Sequence, residues 1–211
     1  MKITFQRILT PGTPDSSRAR WGILVLLALS MAALLAAPVL MPEDYSWLTH
    51  TASESAAQGL HGAWLARTGF VALGFAVLWL VAAAYSTWTR AARWMHLTFG
   101  IMMIGTAVYA HRPFLPGVPY DVVEDWLHSF TATLMGFVFS LGVFFRLLQR
   151  AREDRKLRLL DLSALASAIF IPLLMISFPG ITGLVQRVMF LVAYLWYGTE
   201  AWQLKKPLIT A

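Results

Sequence analysis

Glu54, Gln58 and His61 recur at i, i+4 and i+7, and Asp121, Asp125 and His128 recur in a later segment at the same spacing. On a helix, each set lines one face. Carboxylates and imidazoles so arranged can hold a divalent ion, which lowers the pKa of its bound water and polarises a carbonyl or phosphoryl oxygen. His61, His128 and Asp125 are the candidate metal ligands. Glu54, His61, Asp125 and His128 are the candidate catalytic set of a metal-dependent intramembrane hydrolase acting on a lipid. The chain contains no His-Glu-x-x-His motif to anchor that reading. Ser53, Ser55 or Ser129 beside His61 or His128 would supply a nucleophile and base, but no Gly-x-Ser-x-Gly elbow accompanies them.

Arg67, Arg112 and Arg187 lie near these carboxylates and histidines in the expected topology. As clamps for a phosphate or carboxylate, with Trp64, Trp47 and Trp126 flanking an acyl chain, they describe a site for a lipid or small amphiphile. That is the leading functional expectation. A simpler role covers many of the same residues. Thr51–Glu54 and Asp121–Glu124 have capping-box spacing, so both segments read as helix starts. A third expectation is an accessory subunit or scaffold of a membrane complex, with the basic loop 146–158 as its exposed feature. No motif decides between binding and catalysis.

The elements that must position these residues are membrane helices. Of 211 residues, 58% are hydrophobic and 13% charged, about half the charge of an ordinary soluble domain. Mean hydropathy is +0.61. Six apolar runs, near 21–41, 64–86, 94–110, 127–146, 159–178 and 184–204, are each long enough to cross ~30 Å of hydrocarbon. The spacing therefore predicts an all-α polytopic bundle of six transmembrane helices over 21–206. Residues 1–20 form an N-terminal arm, with a short interfacial stretch at 3–9, and residues 207–211 a tail. Trp21, Trp47, Trp64, Trp88, Trp94, Trp126 and Trp202 read as interface anchors. The glycines at 100, 105, 136 and 142 read as points of close helix contact.

With the N-terminus inside, fourteen of the seventeen Lys and Arg residues fall on the inner side, leaving Arg67, Arg112 and Arg187 outside. The positive-inside rule then puts both termini in the cytoplasm and the polar site towards the periplasm of a multi-pass inner-membrane protein. The net charge of +6 serves orientation and headgroup contact, so nucleic acid is not an expected partner; membrane lipid and other membrane subunits are. The chain has no cysteine, which removes iron–sulfur clusters and disulfides. All four lysines lie outside the spans, which removes a retinal Schiff base, and the histidines near the span ends disfavour a mid-span haem pair. One divalent metal stays open as a cofactor. Glu200 is the one carboxylate well inside a span, and with Lys205 and Lys206 close by it reads as a side chain snorkelling to the inner interface.

Six spans with both ends inside, Ser53-Glu54 in the first outer loop and His128 at the head of the fourth helix together resemble the six-helix membrane proteins of domain-of-unknown-function family 998. That group is similar in architecture to the Frag/DRAM/Sfk-type proteins. The resemblance implies the six-helix fold over about 21–204 and a shared feature at Ser53, Glu54 and His128. It implies no catalytic residue.

Overall fold

The computed structural model describes residues 16–153 and 158–204. Most of the expected N-terminal arm, the tail, and all four lysines lie outside the described residues. Six α-helices form, with no strand among the described residues: α1 (Ser16–Ala36), α2 (Ala63–Ala83), α3 (Arg90–Val108), α4 (Val122–Arg152), α5 (Leu159–Ser177) and α6 (Thr182–Trp202). Five of them, all but α3, are long and apolar enough to cross a membrane. At 19 residues α3 matches α5 in length, but Arg90, Arg93 and His96 crowd its first two turns. At about 1.5 Å per residue, most of these helices span close to 30 Å. The 31-residue α4 runs well past that.

Each helix packs on its neighbours in chain order, and α6 returns to α1, which closes the ring. The short α2–α3, α4–α5 and α5–α6 connections set those pairs antiparallel. Glycines set the tightest crossings. A Cβ at Gly100 would meet Leu78 on α2, one at Gly105 would meet Thr131, and one at Gly142 would strike the His96 ring. Gly136 has nothing within 4 Å, so it is not a contact point.

The outward surface is apolar. Phe137 is 66% exposed and Ile176 80%, as suits side chains solvated by lipid. Inside, α6 fills the ring with Trp196 and Tyr197, both fully buried, packed on Phe99, Phe139 and His96. Trp88 belongs to this core as well. It is buried and packs on His96 and Trp196, so it is not an interface anchor. The other six expected anchors are all exposed.

The bundle has two polar ends. One, the loop end, carries the connections 37–62 and 109–121. The other, the basic end, carries the start of α1, the α2–α3 and α4–α5 turns and the end of α6, where Arg20 donates to the Leu204 carbonyl at 2.7 Å.

Candidate functional site

At the loop end, the Thr51–Glu54 capping box closes as its spacing requires. The Thr51 N–H donates to Glu54 Oε2 at 2.6 Å, and the Glu54 N–H to Thr51 Oγ1 at 3.1 Å. The expected helix does not follow. Only a 3₁₀ turn, Glu54–Ala56, forms, and Ala57 is already extended. Arg67 draws the carbonyls of Ala56 and Ala57 towards α2, and Gly59 adopts φ +72°, which a right-handed helix cannot pass through. Glu54, Gln58 and His61 therefore share no helical face, and His61 is exposed on the turn before α2.

The second box is half built. Asp121 caps α4, its Oδ1 accepting from the N–H groups of Val123 and Glu124. Glu124 reaches instead to the Ala110 N–H at 2.8 Å, while Asp125 accepts from the Arg112 N–H at 2.8 Å. His128 is buried, with Nδ1 against the carbonyls of Thr106 and Tyr109 and Nε2 unpartnered. This face of α4 pins the 109–121 loop. Gln58 then ties the two loops together: its Oε1 accepts from the Asp121 N–H, and its Nε2 donates to Ala110 and Asp121 carbonyls. An open pocket of about 480 Å³ lies between the loops, lined by His50, Glu54, His111, Arg112, Phe114 and Tyr120 among others.

The proposed metal ligands do not converge. Among the described residues no three His, Asp or Glu side chains are placed to hold one ion. His61 is exposed, His128 buried, and one oxygen of Asp125 holds a backbone amide, so this donor set does not fit a metal centre. Nor is there a nucleophile pair in Ser55, whose hydroxyl donates to the Ala52 carbonyl.

The three loop-end arginines separate. Arg67 holds the first loop to α2, and Arg112 is exposed beside Asp125. Arg187, in the second turn of α6, donates through Nη1 to the carbonyls of Trp47, His50 and Gly183, each at 2.9 Å. Its Nη2 donates to the Tyr45 hydroxyl at 2.7 Å. Burial pushes the Tyr45 hydroxyl above its ordinary pKa, with Arg187 opposing, so the phenol stays a neutral partner. The loop lies so close to α6 that a Cβ on Gly183 would sit 2.2 Å from the His50 carbonyl oxygen. Below Arg187 an apolar groove of about 250 Å³ runs between α1 and α6, lined by Met31, Leu34, Val188, Leu191 and Tyr194, with Trp47 at its mouth. The Arg187 guanidinium stacks 4.9 Å above the Trp47 ring. Trp64 lies outside this groove.

The basic end holds a constellation that sequence reasoning missed. Glu200 does not snorkel: it is buried, and Arg146, Arg150 and Arg158 all pair with it. Asp161, in the first turn of α5, pairs with Arg150 at 2.7 Å and Arg158 at 3.0 Å, and accepts from Trp196 Nε1 at 2.9 Å. A carboxylate in the last turn of α6 opposes the helix dipole; three guanidinium groups outweigh that. The signal was present in two spans carrying one carboxylate each and in Arg146 and Arg150, one turn apart on α4. Intramembrane charges call for partners. With every carboxylate oxygen occupied, this cluster locks α4, α5 and α6 together.

Fold and sites together define a polytopic helical membrane protein. The chain belongs to the family described as protein of unknown function (DUF998), which matches residues 24–203. No curated protein matches it, and no solved structure does.

Proposed function

We propose that this protein binds a lipid or small amphiphile in the groove between α1 and α6. In this reading it sits in the inner membrane with both termini in the cytoplasm and the loop end towards the periplasm. The excess of basic residues at the opposite end supports that orientation. The observation that carries the reading is the groove itself: an apolar slot in the lipid-facing surface whose mouth is flanked by Arg187 and Trp47. Apolar walls take a chain, and a guanidinium stacked on an indole takes a polar head. Of the expected anion-binding residues, Arg187 keeps that role. Arg67, turned to two loop carbonyls, is a structural residue, and Arg112 and Trp64 lie away from the groove.

Native mass spectrometry of protein purified in mild detergent tests this reading. Val188 is exposed on the groove wall, so Val188→Phe fills the slot with little effect on the core. The wild-type protein is expected to retain an excess mass matching an amphiphile, which Val188→Phe loses. Equal retention by both proteins would refute the groove as the binding place.

A further inference from the structure

The groove has one cationic end that the protein itself does not neutralise. Arg146, Arg150 and Arg158 all face carboxylates. Arg187 has no carboxylate within ion-pair distance among the described residues; its four acceptors are three carbonyls and a phenol. Its Nε–H is buried without an acceptor. A guanidinium at the edge of hydrocarbon with only neutral oxygens around it is electrostatically incomplete. An anionic head at the groove mouth supplies the missing charge.

The other end is neutral. The Tyr194 hydroxyl lies 2.6 Å from Ser30 Oγ, which donates to the Gly69 carbonyl at 2.6 Å. Both hydroxyls are buried and engaged with each other and the backbone, so the lower part of the groove offers only apolar surface. Seven residues, about 10 Å of helix axis, separate Arg187 from Tyr194. At about 250 Å³ the slot is smaller than the ~300–1,000 Å³ of drug-sized ligand pockets, a size that suits the head-proximal part of a single chain.

Resting on the binding reading above, we infer that the groove selects an amphiphile with an anionic head and a single inserted chain, and that Arg187 is the residue that reads the charge. A free fatty acid and one chain of an anionic phospholipid share this chemistry.

Quenching of Trp47, at the groove mouth, reads occupancy directly. The protein is placed in vesicles of phosphatidylcholine doped with a dibrominated fatty acid, dibrominated phosphatidylglycerol or dibrominated phosphatidylcholine. Subtracting the signal of Trp47→Phe isolates this one indole. At least one anionic probe is expected to quench it at a mole fraction roughly tenfold below that of the neutral probe, as the loss of a charge-assisted contact predicts. Strong quenching by the fatty acid identifies a free acid as the ligand, and strong quenching by phosphatidylglycerol a phospholipid. Arg187→Gln is expected to abolish the preference; since Arg187 also holds the loop, the wild-type comparison stands without that variant. Equal quenching by all three probes, relieved by Val188→Phe, would overturn charge selection and leave the groove as a neutral amphiphile site. Quenching that Val188→Phe does not relieve, or no quenching, would overturn both.

Discussion

Replacing Glu200 by alanine is expected to destabilise the bundle by about 3–5 kcal/mol, because removing one partner of a buried ionic cluster leaves the others uncompensated. Three guanidinium groups lose their shared acceptor at once, and only Asp161 remains between two of them. Arg146 retains Gln149, a neutral partner. Reversible unfolding in mixed mild and denaturing detergent measures the loss. Glu200→Gln is expected to fall in between, since an amide keeps an acceptor oxygen without the charge. A change below about 1 kcal/mol for the alanine variant, the range of exposed ion pairs, would mean that the cluster is solvated and adds nothing to the bundle.

Trp196→Ala is expected to cost about as much, 3–5 kcal/mol, for a different reason. This indole is fully buried and lies against His96, Phe139, Tyr197 and Trp88, so its removal opens a cavity at the centre of the helix ring. Trp196→Phe keeps most of the aromatic packing but loses the N–H that donates to Asp161 at 2.9 Å. Its expected cost is about 1.5–3 kcal/mol, the range for a hydrogen bond to a charged group. The same unfolding assay separates the two. Equal losses for Phe and Ala would assign the residue's contribution to the hydrogen bond; no loss for Phe would assign it to packing.

The helices were legible in the sequence because length and apolarity report directly on a bilayer. The loop-end site was less so. Capping-box spacing at Thr51 and Glu54 forecast the local hydrogen bonds correctly, yet whether a helix continues depends on what the next residues meet in space. Arg67 on α2 takes the carbonyls that helical bonds would need, and Gly59 turns the chain. Such tertiary override leaves no periodic trace. On the histidine stripe of α4, Asp125 and His128 meet backbone groups of the neighbouring segment 106–112, contacts that the spacing alone does not encode. Glu200 shows the opposite failure. The nearby lysines in sequence suggested snorkelling, while the partners that matter come from α4 and the start of α5. Arg187 was legible as a cation near the outer edge of a span; the groove beside it depends on how α1 and α6 meet, which no local pattern encodes.

The most direct test of the binding reading locates the amphiphile rather than detecting it. A fatty acid carrying a diazirine near its chain end, incorporated in vesicles with the protein and photolysed, marks the residues its chain touches. Adducts mapped by peptide mass spectrometry are expected on α1 around Met31 and Leu34 and on α6 around Val188 and Leu191, and to be lost in Val188→Phe. Labelling spread evenly over outward-facing residues such as Phe137 on α4 and Ile176 on α5 would show that lipid meets this surface without preference, and would contradict a specific site between α1 and α6.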